Sequence, residues 1–304
     1  MGLFDNVKTL FGGKRKSDGN QKTVYRKNVN IEKRFEFVRT AVSGTMSNFF
    51  MARDRETDRI VGLKIADSEK TALFEQRFKA LKKPPEGLIA SKVVHPNVVK
   101  TYEYGTSSTK QNYLVMEYLK GAGLHAMIYD RDSMLEGKRL NLIRQFAEAL
   151  GAVHKAGFIH RDVCPRNFIA TPDCSAVKLF DFGLSLPDEP PFHQPGNRTG
   201  TPFYMAPEIV RRRKTDHRVD IFAMGVSFYQ LLTFELPWPS NDASGLAALS
   251  HDTLKPTSIL EYKPKLHPKL AEAIMLCMSV DPNDRPKTTD KFLQMINSVE
   301  TVNV

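Results

Sequence analysis

The fold open to this chain is limited most by a change in the spacing of its apolar residues. From Arg34 the runs "RFEFV", "RIVGLKI" and "NYLVMEYL" alternate with period two and are rich in β-branched and aromatic residues, which predicts strands. From about Leu140 the period changes. Ile143, Phe146, Ala147, Leu150 and Val153 follow the i, i+3, i+4, i+7 spacing of a buried helix face. Helical patterns dominate after Ala206, and "TTDKFLQMI" offers Thr or Asp as the N-cap of the last apolar helix. No internal repeat is present. The expectation is an α+β chain whose first third is mostly sheet and whose remainder is mostly helix. With 304 residues and 41% apolar content it can bury a large core, near the size at which one domain divides into lobes.

Residues 1–30 read as a separate tail. Phe4, Val7, Leu10 and Phe11 share one face of a short helix that ends at Gly12-Gly13 and precedes Lys14-Arg15-Lys16. Over residues 4–16 this is a weak membrane-surface pattern, and a frayed or docked helix with a solvated linker is the preferred reading. Asn6 argues against myristoylation at Gly2. The start lacks the apolar run of a secretory signal, and the stretch from Asp220 to Phe234 is too short to cross a bilayer, so a cytoplasmic protein is expected, peripheral at a membrane at most. The net charge of +10 is spread along the chain without an aromatic platform, so no nucleic-acid partner is expected. Cys164, Cys174 and Cys277 show neither disulfide nor zinc spacing.

"FIHRDVCPRNF", at 158–168, carries the chemistry. Phosphoryl transfer needs cations on the phosphates, magnesium ligands, a base that orients the acceptor hydroxyl, and a cover that excludes water. Asp162 is a candidate base, and Asn167, five residues on, a candidate metal ligand. "KLFDFG" follows and adds Asp181 as a second.

With these strings the chain resembles the eukaryotic-type serine/threonine protein kinases, its bacterial members in particular, from about Phe35 to the last helix. The resemblance implies a bilobal fold, with a small β-rich N-terminal lobe and hinge over 31–119 and a larger helical C-terminal lobe over 120–304. It also implies ATP and Mg2+ as cofactors and a protein hydroxyl as acceptor. "VGLK" resembles the family's phosphate-binding strand, which makes Lys64 the cation on the phosphates. In "LVMEYL", Met116 matches the gatekeeper, and the backbone of Glu117 and Leu119 would meet the adenine edge, with Ile169 also beside the nucleotide. "GTPFYMAPE" supplies Thr201, matched to the hydroxyl that contacts the catalytic aspartate, and Glu208, matched to the partner of Arg285 in "DPNDRP". Asp220 matches the acid that braces the catalytic loop. Arg161 beside Asp162 implies regulation by activation-loop phosphorylation, with Thr199 as the acceptor.

The chain also departs from the family pattern. The phosphate-covering loop reads "VSGTMS" from Val42 to Ser47 and keeps only Gly44. Phe49 replaces a small residue above the adenine, and Gly62 replaces an alanine, which would offset the larger roof. Glu86 is the expected partner of Lys64, with Glu75 as competitor, and Pro84-Pro85 would start the regulatory helix at Glu86. Ala90 and Thr101 replace larger side chains in the stack that links the lobes. Cys164 replaces a lysine, which predicts a slower enzyme because a neutral thiol cannot stabilise developing charge. Arg166 stands where kinases of basic peptides carry an acid, so a neutral or acidic substrate is expected. The alternative to a kinase is a pseudokinase that binds nucleotide as a scaffold.

Overall fold

The computed structural model describes residues 23–39, 46–196, 198–238 and 247–302. The expectations placed on residues 4–16, Val42 and Gly44 lie outside these described residues.

The chain first builds a six-stranded sheet: β1 (Val24–Val29), then after α1 (Ile31–Arg34) β2 (Phe35–Arg39), β3 (Ser47–Asp54) and β4 (Arg59–Ala66). Two helices follow, α2 (Ser68–Gln76) and α3 (Glu86–Lys92), and then β5 (Thr101–Ser107) and β6 (Asn112–Glu117). The order is β1-β5-β6-β4-β3-β2, antiparallel throughout except for the parallel pair β1·β5. The alternating runs of the sequence lie on β2, β4 and β6, and their inward residues Phe35, Val61, Leu63, Tyr113 and Val115 form one buried cluster with Ile31 of α1 and Ala52 of β3.

This sheet begins earlier than the sequence boundary at residue 31. Val24–Val29 was expected in the tail, but it is the edge strand β1. Its composition, "VYRKNV", gave no apolar alternation strong enough to mark a strand. The pairing depends on a distant glycine instead: a Cβ on Gly105 would stand 1.8 Å from the Arg26 carbonyl oxygen, so only glycine lets β1 this close. Behind β1, the buried Arg34 donates to Asp54 at 2.9 and 3.0 Å and to Glu103 at 2.7 and 3.2 Å, and the Tyr113 hydroxyl donates to Glu103 at 2.6 Å. Each buried charge is thereby paired.

Beyond the hinge the chain forms β7 (Ala122–Gly123), α4 (Leu124–Tyr129) and the 17-residue α5 (Arg139–Lys155). Four short strands follow: β8 (Phe158–Ile159), β9 (Phe168–Ala170), β10 (Val177–Leu179) and β11 (Leu186–Pro187). The remainder is helical: α6 (Pro207–Val210), α7 (Arg218–Thr233), α8 (Ile259–Tyr262), α9 (Pro268–Cys277) and α10 (Thr289–Met295). The face of α5 marked by Ile143, Phe146, Ala147, Leu150 and Val153 is buried. Phe146 stacks on Phe168 and meets Phe228 of α7 edge-on at 5.1 Å. Thr288 caps α10, accepting from the Lys291 N–H. The architecture is a β-rich lobe followed by a larger helical one, as the resemblance implied.

Candidate active site

The two lobes meet at Lys64. It projects from β4, and its ammonium donates to Glu86 at 2.5 Å and to Asp181 at 2.9 Å. Pro85 stands at the N-cap of α3, so Glu86 opens the helix, where its charge also suits the positive end of the dipole. Glu75 lies on α2 instead. Burial works against the Lys64 charge, but the carboxylates of Asp181 and Glu86 outweigh it and hold the amine above its ordinary value. Asp181 is pulled below the usual carboxylate range: burial opposes its charge, and the Lys64 ammonium prevails. The Gly183 N–H donates to Asp181 at 3.0 Å and the Phe182 N–H to Glu86 at 3.3 Å. The loop is thus tied to both members of the pair.

The second half of the site is the turn that follows β8. Asp220, buried on α7, accepts from the N–H of His160 at 2.7 Å, the N–H of Arg161 at 2.8 Å and the His154 ring at 2.9 Å. This brace holds Arg161 in the left-handed region at φ 67°, and Asp181 adopts φ 68° on the facing loop. Two non-glycine residues in that region on adjacent loops are the kind of stored strain found at functional sites. The turn presents Asp162. Its Oδ1 accepts from the Thr201 N–H at 2.9 Å and hydroxyl at 2.8 Å, and its Oδ2 accepts from the Asn167 amide at 3.0 Å.

The Asn167 amide nitrogen also donates to the Asp162 carbonyl at 2.7 Å. Its nitrogen is therefore committed, and the side-chain oxygen is left as the free acceptor. Together with the carboxylate of Asp181 this is an all-oxygen donor set. Such a set suits a hard divalent cation like magnesium, which binds through one or two protein oxygens and completes its shell with phosphates and water.

Around the expected nucleotide position, Gly62 pairs with Met116 across β4 and β6, and Val61 with Glu117. A Cβ on Gly62 would stand 2.9 Å from Met116 Cγ, so the space left by the missing methyl is taken by Met116 and not by Phe49. Phe49 leans instead onto Phe180, rings 5.6 Å apart and nearly perpendicular, with the Lys64 ammonium 5.2 Å from its face. Met116 belongs to the buried core, with Leu119 packed against it. Ile169 is half-buried in β9, opposite Gly123. Ser47 is buried at the start of β3. The Glu117 side chain is held away in an ion pair with Lys178 at 2.7 Å.

Cys164 is buried, its sulfur 3.7 Å from the Thr201 hydroxyl. Burial, and then the Asp162 charge, push the thiol up to about 12, so it is neutral. Arg166 is exposed on the turn Pro165–Asn167. His125 on α4 is held below its ordinary value by burial and then by the charge of Arg166. The Thr199 hydroxyl is buried without a partner among the described residues. Glu208 of α6 and Arg285 form a buried two-pronged pair at 2.7 and 2.8 Å, as expected of them.

Two features escaped the sequence reading. Phe74 of α2 and Phe78 just beyond it pack with Leu186 and Phe192, and Met46 and Leu184 flank this cluster. The segment between β4 and α3 therefore rests on the segment that follows "DFG". Asp188 also joins two histidines, accepting from His193 at 2.7 Å and His217 at 3.1 Å. The i, i+4 phenylalanines were a visible signal for the first; the histidines had none.

Comparison with known proteins gives the family. The family model described as protein kinase domain matches residues 35–296. The chain belongs to the protein kinase family. It is similar to serine/threonine-protein kinase pkn3 of Myxococcus xanthus, with 32% identity over 84% of this chain and 48% of the relative. Similarity extends to PrkC of Bacillus subtilis, at 28% over 86% of this chain and 39% of the relative, and to PknB of Mycobacterium leprae, at 28% over 85% and 42%. The chain thus spans about half or less of the length of these relatives. Among the described residues no helix is long and apolar enough to cross a membrane.

Proposed function

We propose that this protein is a serine/threonine protein kinase that transfers the γ-phosphate of ATP to protein hydroxyls. The observation that carries the reading is the joint presence of the Lys64–Glu86–Asp181 and Asp162–Asn167–Thr201 clusters. Family membership and relatives named serine/threonine-protein kinases support it.

In this reading Lys64 binds the phosphates, and Glu86 fixes its amine. Asp162, held by Thr201 and Asn167, orients the acceptor hydroxyl and takes its proton. Asn167 and Asp181 would hold Mg2+, whose charge offsets that of the phosphates when bound. The backbone of Glu117 and Leu119 receives the adenine, with Met116, Phe49, Gly62 and Ile169 around it. Val42, Gly44 and Ser47 belong to the covering loop. The division into a lobe over 31–119, ending in the hinge, and a lobe over 120–304 follows the same assignment.

Arg166 sets the substrate. It is cationic, and a peptide whose hydroxyl rests on Asp162 would pass it, four residues along the same turn. An acidic or neutral peptide is expected. Phosphorylation of Thr199 is the proposed regulation. A peptide array with ATP and Mg2+ tests the substrate: enrichment of Asp and Glu near the acceptor is expected, and enrichment of arginine would refute it. Lys64→Met is expected to lower transfer by at least about a hundredfold, since the phosphates lose their one fixed cation.

A further inference from the structure

A second cationic cluster, which shares no residue with the site on Asp162, lies where the end of α4, the start of α5, the end of α7 and the end of α8 come together. Arg139, the first residue of α5, is only 6% exposed. Its Nε is buried without a partner, and its guanidinium makes neither a hydrogen bond nor an ion pair among the described residues. Its guanidinium lies over the ring of Phe234, 4.7 Å from the centroid. Arg131, just past α4, meets the same ring at 5.6 Å and pairs with Glu235 at 2.6 Å. Lys263, just past α8, is half-buried and has no ion-pair partner among the described residues. Partial burial, then the charges of Arg139 and Arg131, hold its amine below the ordinary value.

The backbone beneath the cluster is strained. Phe234 is the C-cap of α7 in the left-handed conformation, φ 66° and ψ 5°, a position that favours glycine. A bulky aromatic residue there is an outlier, and its ring is the platform for both guanidinium groups. The start of α5 points the same way: its N-cap, Lys138, provides no side-chain cap at the positive end of this 17-residue helix, beside Arg139. The Tyr229 hydroxyl is buried without a partner among the described residues and is close enough to Glu261 and Glu235 to feel their charge. The acids nearby do not complete the site. Glu235 is committed to Arg131, Glu261 accepts from the Ser258 N–H in the capping box of α8, and Glu136 is felt by Arg139 but accepts no hydrogen bond from it among the described residues.

A guanidinium whose Nε is buried without an acceptor is costly, and Lys263 beside it feels the charge of both arginines. One bound dianion would relieve both, because a carboxylate already on Arg131 leaves positive charge uncompensated. Guanidinium forks favour tetrahedral oxyanions with several acceptors. We infer that Arg139, Arg131 and Lys263, with the start of α5, form a binding site for a phosphate-type oxyanion, either free or carried on a phosphorylated side chain.

Isothermal titration of inorganic phosphate, and separately of a phosphoserine amide, into the full chain at constant ionic strength tests the site. Lys64→Met serves as the control that removes phosphate binding in the nucleotide cleft. Lys64→Met is expected to retain saturable binding, which is then assigned to the cluster on Arg139. Lys263→Gln should bind about tenfold more weakly, the loss of one charged hydrogen bond, and Arg139→Gln should not bind. Lys263 is half-exposed, so its variant keeps the test valid if Arg139→Gln does not fold. Phosphoserine amide binding as tightly as the free ion assigns the site to a phosphorylated side chain, and weaker binding assigns it to the ion. Binding lost in Lys64→Met, binding unchanged in Lys263→Gln, or no saturable binding by wild type overturns the inference.

Discussion

At the scale of single residues, Cys164 decides how the centre differs from its relatives' pattern. A thiol pushed up to about 12 by burial and the Asp162 charge is held as the neutral thiol near pH 8, a poor nucleophile. Iodoacetamide at pH 8 is therefore expected to leave activity intact; inactivation with stoichiometric labelling of Cys164 would contradict this. The same neutrality means that no lysine-like charge stands beside Asp162, so Cys164→Lys should raise kcat by about tenfold. An unchanged kcat would show that the charge is not needed. His217 gives a pH signature. Its hydrogen bond to Asp188 outweighs burial and raises its pKa to about 9. A raised value favours the protonated ring in the folded state, so the contribution is full below the ordinary histidine value near 6.5 and is lost as pH rises through about 9. The melting temperature of wild type should fall over that window, and that of His217→Gln should fall less.

At the scale of elements, α2 has the least obvious role. Phe74 and Phe78 join the β-rich lobe to Leu186 and Phe192 of the segment after "DFG". The contact couples the lysine strand to the segment that carries Thr201. Phe78→Ala should cost about 3 kcal/mol of stability, as large-to-small core changes do, seen as a lower urea midpoint. It should lower kcat more than it raises KM for ATP; an unchanged kcat would show that the contact only stabilises. How much of this was legible depends on whether the signal was local. Pro84-Pro85 marked the start of α3 at Glu86, and the face of α5 was written in its spacing. The partners of Phe78 are not local: Phe192 lies on a segment with no apolar period. Strand β1 was illegible for the same reason, since its partner is a glycine in β5.

At the scale of the whole molecule, the motif residues arrive at one place from distant parts of the chain. Lys64 and Asp181 are 117 residues apart in sequence and 2.9 Å apart in space. Their candidacy was legible because each sits in a short string of fixed spacing; the shape of the cleft between them was not. Phe49 could be named as a larger roof, but its perpendicular contact with Phe180 and the filling of the Gly62 space by Met116 are packing outcomes. The cluster around Arg139 was also unreadable, because it depends on an arginine, a lysine and a strained phenylalanine from separate helix ends. The central claim concerns phosphate transfer, so the most direct measurement is incorporation of labelled phosphate from ATP and Mg2+ into the purified protein and a generic protein substrate, with Asp162→Asn as control. Incorporation on serine or threonine that disappears in the variant is the expected result. Equal signal in the variant, or none in the wild type although ATP still shifts its melting temperature, would contradict the account.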